Sequence, residues 1–219
     1  MRWTLSFAAV MLCASAVRAD LIIDDFAVNF GVKSNNGPAT GASQSIVSGQ
    51  SRIVDYGSQV TSTGTNTSLA MGNGNGRTGA VVYDLGSVKD LTLSGINTAL
   101  KLSYSATAGD TYDIAFSILT AFSPSASVVA SALLTAQPAS GSAYAQNAAF
   151  SDGGIALQSV RYLSVRVTRS ANSPNSGTNF TFTSLSAVPE PATVLLFGFS
   201  GLAAVIAHRR RRRRMLQQA

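Results

Sequence analysis

The chain has 219 residues, of which 46% are hydrophobic and 12% are charged, and its formal net charge at pH 7 is +6. The basic residues are concentrated at the two ends, because residues 20–187 contain eight basic and nine acidic residues, the latter all aspartate, for a formal charge of −1. This segment has no cysteine, histidine, glutamate or tryptophan. Disulfides, zinc sites of cysteine and histidine, and catalysis by cysteine or histidine are therefore excluded. The charge of −1 likewise gives no support to a basic nucleic-acid-binding surface.

The N-terminus has the layout of a secretory signal peptide. Arg2 supplies a positive charge, and a largely apolar stretch follows from Trp3 to Ala16. Small or aliphatic residues at positions 17 and 19 then match the site that a signal peptidase reads. The pattern predicts a signal peptide over residues 1–19, cleaved between Ala19 and Asp20.

Residues 20–187 predict a single all-β domain that is long enough to bury a core. Short runs of β-prone residues alternate in polarity; in Leu163–Thr168, the leucine and two valines share one face. Turn-forming residues separate the runs, and we find no convincing amphipathic helix. The predicted strands are Leu21–Phe30, Ser51–Val54, Gln59–Thr63, Ser68–Met71, Ala80–Leu85, Leu100–Ser105, Tyr112–Leu119, Val128–Leu134, Tyr162–Thr168 and Phe180–Leu185.

These strands predict an antiparallel β-sandwich, with jelly-roll connectivity as the preferred topology. The weakest part of the prediction is Ser123–Ala149, which is rich in alanine and serine. A helix or a long loop within that stretch is the alternative.

The glycine-rich stretch from Gly74 to Gly79 has the G-x-G-x-x-G spacing of nucleotide-binding loops. That motif requires a helix after it, so that a phosphate lies at the helix N-terminus. Here the following residues, Ala80 to Asp84, predict a strand. We therefore interpret the motif as a loop and expect no cofactor.

The aspartates offer two further hypotheses. Asp24 and Asp25, with oxygen ligands from elsewhere, form a candidate calcium site, although no stretch matches a defined calcium-binding loop. Paired aspartates can also hydrolyse glycosides. Aspartates near turns are more often turn-formers, so structural roles are favoured and the domain is predicted to be non-enzymatic.

Tyrosines are the best candidates for sugar contact, because glycan binding by stacking needs an exposed flat ring and the domain has no tryptophan. Most of them lie in or beside predicted strands, where they are expected to pack in the core. Tyr56 and Tyr144 are predicted to be exposed, and they are the candidate glycan contacts.

The C-terminus combines three elements in a fixed order. Pro189, Glu190 and Pro191 precede an uncharged apolar run from Ala192 to Ala207, and basic residues follow. A helix over that run would be about 24 Å long at 1.5 Å per residue, slightly short for a hydrocarbon core of about 30 Å. A cluster of arginines after such a helix predicts a cytoplasmic C-terminus; it comprises Arg209, Arg210, Arg211, Arg212, Arg213 and Arg214.

This tail resembles the PEP-CTERM sorting signal of bacteria that make extracellular polysaccharide. The resemblance covers residues 188–214 and leaves 215–219 as a short cytoplasmic tail. It implies that a membrane-embedded exosortase recognises Pro189, Glu190 and Pro191, removes the helix and arginines, and releases the protein outward. The alternative is an ordinary single-pass anchor that is never cleaved.

Within residues 20–187, the order of Ile23–Phe26, Ser51–Val54 and Val82–Leu85 looks like that of domains often carried by PEP-CTERM proteins. Those domains are similar to carbohydrate-binding jelly rolls, but the similarity implies no binding residue. The expected function is that of a secreted, non-enzymatic protein with a structural or adhesive role. Its precursor would lie in the inner membrane, and the processed protein at the cell surface or in the exopolysaccharide matrix. The alternative is a carbohydrate-binding module for the producer's own extracellular polysaccharide.

Overall fold

The computed structural model describes residues 20–31, 40–46, 49–57, 60–62, 66–72, 76–170 and 177–189. One compact unit runs from Leu21 to Val188. Residues 1–20 and 189–219 form a second unit, of which only Asp20 and Pro189 are described. No helix in the described ranges is long and apolar enough to cross a membrane, and the predicted span 192–207 lies outside those ranges.

The described part of the unit Leu21–Val188 consists of strands and two 3-10 helices, Asn147–Ala149 and Ile155–Gln158. The strands are β1 (Leu21–Asp24), β2 (Gln44–Ser45), β3 (Ser51–Asp55), β4 (Val60–Thr61), β5 (Ser68–Met71), β6 (Thr78–Lys89), β7 (Ala99–Ala106), β8 (Tyr112–Leu119), β9 (Val128–Gln137), β10 (Ser140–Gln146), β11 (Val160–Arg169) and β12 (Thr178–Val188).

The strands form two antiparallel sheets. Sheet I has the order β10-β7-β12-β5-β4, with β1 also paired to β12, and sheet II has the order β2-β3-β6-β11-β8-β9. From β5 onward the strands distribute between the sheets as in a jelly roll: β10-β7-β12-β5 in one and β6-β11-β8-β9 in the other. The predicted antiparallel β-sandwich is therefore confirmed.

The core lies between the inner faces of the sheets, where the predicted alternation is confirmed. Leu163, Val165 and Val167 on β11 are fully buried, whereas Arg166 between them is exposed. Burying side chains of this size contributes about 1.5–3 kcal/mol each. The period-2 pattern thus decides which side of the strand faces the core.

Aromatic rings fill one part of this core. The rings of Tyr104 and Phe180 are stacked, with centroids 4.7 Å apart and planes inclined by 14°. Phe182 contacts Phe26 at 5.4 Å, Phe30 at 5.6 Å and Phe180 at 5.0 Å between centroids. Such pairs add about 0.5–1.5 kcal/mol each to the effect of burial alone.

Each of the ten predicted strands is present, but the first is shorter than predicted. The prediction extended it from Leu21 to Phe30, whereas β1 ends at Asp24. The Asp24 carboxylate accepts a hydrogen bond from the Phe26 N–H at 2.7 Å, and Phe26 has a φ of 55°. This local turn diverts the chain from the extended conformation.

The stretch Ser123–Ala149 is mostly strand, and the only helix within its described residues is the short 3-10 helix Asn147–Ala149. It contains β9 and β10, of which β10 was not predicted. Serine, glycine and alanine have low β-propensity, and the sequence SGSAYAQ of β10 carries few apolar residues. Ala143 and Ala145 nevertheless face the core with at most 1% exposure, because β10 pairs with β7 along its whole length.

The glycine-rich stretch leads into a strand, as predicted, since β6 begins at Thr78. Gly79 lies on the inner face of β6. A Cβ at this position would be only 2.5 Å from Leu69 Cδ1 on the opposite sheet. The last glycine of the motif therefore serves the packing of the two sheets.

Candidate functional site

The outward side of sheet I is covered with hydroxyl groups, and we call it the hydroxyl face. In the register, residues on β10, β7 and β12 lie directly opposite one another, and opposite residues share one face. Neighbouring strands are about 4.8 Å apart, and alternate residues along a strand about 6.8 Å. The hydroxyls thus form a grid, made by Ser140 and Ser142 of β10, Ser103 and Ser105 of β7, Thr181 and Ser184 of β12, and Ser68 of β5, whereas Ser186 of β12 is buried.

Hydrogen bonds between neighbouring strands orient part of this grid. The hydroxyls of Ser103 and Ser142 are 3.2 Å apart, and those of Ser68 and Thr181 are also hydrogen-bonded. A hydroxyl has one donor and two acceptor positions, so each of these groups retains capacity for a ligand. The hydrogen bonds between strands orient these hydroxyls and leave acceptor positions available.

An aromatic ring and a cation lie side by side on the same face. Tyr144 of β10 is directly opposite Lys101 of β7, and the Lys101 Nζ is 5.7 Å from the centroid of the Tyr144 ring. This is within the range of a cation–π contact. Tyr144 is 37% exposed, as expected for a stacking surface.

A shallow depression lies at one end of the hydroxyl face. Its lining is formed by Ser105, Ala106, Thr107, Asn179 and Thr181, and its volume is about 260 Å³. The Asn179 N–H donates to the Thr107 hydroxyl at 3.1 Å, which fixes this edge. Pockets that enclose a small molecule measure about 300–1,000 Å³, so the depression suits contact with part of a larger ligand.

The outward side of sheet II has a different chemistry. Ile53, Val82 and Leu119 form an apolar cluster there, and none is more than 8% exposed. Phe122, from the turn after β8, and Tyr162 pack against this cluster. Part of this outer face is therefore closed by the chain itself.

Tyr56 does not form an exposed platform, so that prediction was wrong. Its side chain is 1% exposed, and its hydroxyl donates to the Gly31 carbonyl at 2.5 Å. Burial raises the pKa of the Tyr56 hydroxyl above its usual value. Tyr56 follows Val54 by two residues and so faces the same core. Of the two predicted glycan contacts, only Tyr144 lies at the surface.

Asp24 is paired with an arginine, which argues against the calcium hypothesis. The Asp24 carboxylate is 2.6 Å from Arg52 Nη1, and both side chains are buried. Asp25 is exposed and accepts from the Ala27 N–H at 3.0 Å, as a turn-former does. In the described ranges, no three acidic, histidine or cysteine side chains are grouped so as to hold a metal ion.

Arg52 joins the two sheets, a role that the sequence did not indicate. Its guanidinium also donates to the Gln44 side chain at 3.1 Å and to the Val28 carbonyl. The Phe26 and Phe30 rings lie 5.3 and 5.0 Å from its central carbon. Because β3 belongs to sheet II and Asp24 to sheet I, this network is structural.

A second buried ion pair was also missed by the sequence reasoning. Arg169, at the end of β11, lies 3.3 Å from the Asp110 carboxylate, and both are at most 1% exposed. The Asp110 carboxylate also accepts from the Tyr112 hydroxyl at 3.4 Å. Arg169 ends β11, and Asp110 lies just before β8. The alternation of residues along a strand does not show whether a charged residue at such a place is buried with a partner or exposed.

The predicted sorting and cleavage residues lie mostly outside the described ranges. Asp20 is described and exposed, and Pro189 is half-buried directly after β12. The remaining predicted residues, namely Ala19, Glu190, Pro191 and Arg209–Arg214, are not among the described residues.

Comparison with protein families identifies the C-terminal segment. Residues 187–213 match the PEP-CTERM protein-sorting motif, which confirms the resemblance predicted for residues 188–214. The chain therefore carries the sorting motif of exosortase substrates. A search of curated proteins found no match.

Among solved structures, the chain is distantly similar to carbohydrate-binding modules of Clostridium thermocellum. A family 11 module of a cellulosomal cellulase is 13% identical with a TM-score of 0.43, over 78% of this chain and 95% of that one. A family 30 module of another cellulosomal cellulase is 12% identical with a TM-score of 0.38, over 78% and 97%. Likeness this remote assigns no ligand to the present chain.

Proposed function

We propose that the protein is a non-enzymatic component of the cell surface or exopolysaccharide matrix, with a structural or adhesive role. A signal peptide over residues 1–19 would direct export, and the C-terminal segment would hold the precursor in the inner membrane until an exosortase releases it. The PEP-CTERM motif at residues 187–213 supports this route. Carbohydrate binding, the alternative function considered from the sequence, would be the means of adhesion.

The observation that carries this proposal is the hydroxyl face with its exposed Tyr144. Serine and threonine hydroxyls both donate and accept hydrogen bonds, as the hydroxyl groups of sugars do. An aromatic ring adds an apolar surface on which a sugar ring stacks. The contacts are individually weak, but a polymer engages several domains or repeats at once and so gains avidity.

Delivery is tested by intact-mass spectrometry of the protein from the inner membrane, the surface wash and the culture medium of its native host. The expected surface species begins at Asp20 and ends between Val188 and Pro191. Retention of the whole chain in the inner membrane, with Arg209–Arg214 present, would refute processing.

Polysaccharide binding is tested by co-sedimentation with the host's own exopolysaccharide, using two matched variants. Ser103 and Ser117 are both half-buried and point outward, but from sheet I and sheet II respectively. Ser103→Asn places a bulkier side chain in the middle of the hydroxyl face and is expected to weaken binding roughly tenfold, the equivalent of one lost good contact. Ser117→Asn is the control and is expected to bind as the wild type does.

Tyr144→Ala is expected to weaken binding in the same assay, whereas Tyr144→Phe, which keeps the ring, is expected to retain it. Base–aromatic stacking in other systems changes affinity by about 1–3 kcal/mol per ring, and a comparable loss here would be measurable. Equal binding by all four variants would contradict a role for the hydroxyl face.

A further inference from the structure

Sheet I contains almost no charge. Lys101 and Asp24 are the only charged residues in its strands, and Asp24 is buried in its pair with Arg52. Lys101 is consequently the only charged side chain that those strands direct outward. The hydroxyl face presents a single positive charge on a neutral polar background.

That charge is not neutralised by the domain. None of the ion pairs formed by the described residues includes Lys101. Its ammonium group lies beside the face of the Tyr144 ring, which orients the cation without cancelling its charge. In the register, Ser186 of β12 is the other neighbour of Lys101, and its side chain is only 6% exposed.

We infer that the hydroxyl face recognises an acidic polysaccharide, in which Lys101 binds the anionic group of a sugar unit whose ring lies against Tyr144. This inference rests on the proposed function and specifies its ligand class. A neutral glycan would accept only a hydrogen bond from the ammonium group, whereas a carboxylate or sulfate would accept that bond and also pair with its charge.

The Lys101 ammonium group lies over the Tyr144 ring at 5.7 Å from its centroid, so one sugar unit could reach both groups. Tyr144 and Lys101 are opposite one another on adjacent strands, and their Cβ atoms are therefore about 5 Å apart. The hydroxyls of Ser103 and Ser142 lie on the next row of the same two strands. A single acidic sugar can thus stack, pair its anion and meet hydroxyl groups at the same time.

The overall charge of the domain does not supply this preference. Residues 20–187 have a formal charge of −1, so the domain as a whole does not attract polyanions. Discrimination for acidic polymers must come from one local cation, and it should weaken as added salt screens that charge.

The test compares binding to polymers that differ only in charge. The pairs are polygalacturonate with its methyl ester, and dextran sulfate with dextran. The full-length chain is used with glutamine in place of Arg209–Arg214, so that the basic tail contributes nothing. We expect tighter binding to at least one acidic polymer than to its neutral counterpart.

Lys101→Met is expected to reduce affinity for that acidic polymer roughly tenfold, since a hydrogen bond to a charged group is of that strength, and to reduce affinity for the neutral counterpart much less. Lys101→Arg is expected to keep the preference. Lys89→Met removes an exposed lysine at the end of β6 in sheet II and is expected to have no effect.

Equal affinity for acidic and neutral polymers, or a preference that survives Lys101→Met, would overturn the assignment of an acidic ligand and leave polysaccharide binding in place. If neither these polymers nor the host exopolysaccharide bound, the proposed function itself would fail. The two failures are thereby separated.

Discussion

The two sheets have inner faces of the same kind but outer faces of opposite character. Sheet II carries charges on several strands and covers an apolar patch of its outer face with Phe122 and Tyr162. Sheet I exposes rows of small hydroxyl residues, with one lysine, one aromatic ring and the side chain of Ile22. Both inner faces are committed to the core, so the proposed contact with polysaccharide would have to use an outer face.

The largest difference between the sheets is expected in the change of stability when a charged residue is replaced. Arg52→Gln removes the partner of a buried carboxylate and should lower the free energy of unfolding by about 3–5 kcal/mol. Lys101→Gln removes an unpaired charge at the surface and should change it by less than about 0.5 kcal/mol. Urea denaturation of each variant measures both values.

A double variant distinguishes loss of the Arg52 pair from loss of packing. Replacing both partners with neutral residues, as in Asp24→Asn with Arg52→Met, should recover part of the loss, because no unpaired charge is left buried. If the double variant were less stable than Arg52→Gln, the packing of Arg52 against Phe26 and Phe30 would be its main contribution.

Truncating one apolar side chain on each outer face sharpens the comparison further. Leu119 is only 7% exposed under the turn that follows β8, so Leu119→Ala should destabilise the domain by about 2–3 kcal/mol. Tyr144→Ala on the open face should cost less than about 0.5 kcal/mol. Equal costs in thermal or urea unfolding would mean that the two outer faces are equally closed.

The smallest expected effect is that the contribution of Asp24 to stability depends on pH. Burial raises the pKa of the Asp24 carboxyl above its usual value of 3.8, and the Arg52 guanidinium acts in the opposite direction. A raised folded-state pKa means that the folded state binds the proton more tightly. The contribution of Asp24 to stability is therefore complete below pH 3.8 and lost as the pH rises through the raised pKa.

This pH effect is measured as the difference in free energy of unfolding between the wild type and Asp24→Asn. The wild type should become less stable relative to Asp24→Asn as the pH increases from 3 to 7. A change in the opposite direction would show that attraction to Arg52 outweighs burial.

The sequence predicted the fold where strands alternate strictly, and it predicted less where small residues prevail. β8 and β11 carry large apolar side chains at every second position and were placed well. β10 was missed because Ala143 and Ala145 give a weak signal. Its presence depends on pairing with β7, which is an interaction across more than thirty residues of sequence.

The candidate site shows the same limit. Tyr144 was predicted to be exposed because it lay outside the predicted strands; it lies in β10, but on the outward side of that strand. Tyr56 was wrongly predicted to be exposed, because its hydroxyl donates a hydrogen bond to the Gly31 carbonyl, which is distant in the sequence. The serines of the hydroxyl face are visible one by one in the sequence, but only the register brings Ser103 next to Ser142.

The position of β12 makes sheet I depend on the final strand of the domain. It is the last strand to be made, yet it lies between β7 and β5 and also pairs with β1, so sheet I has a gap in its middle until residue 188 has emerged. The Thr98 N–H donates to the Val188 carbonyl at 3.0 Å, so the end of β12 is hydrogen-bonded to the domain at the first residues of the sorting motif. A membrane tether at that point would give the chain time to insert its central strand before release, and early cutting would set free an incomplete sheet with two exposed edges.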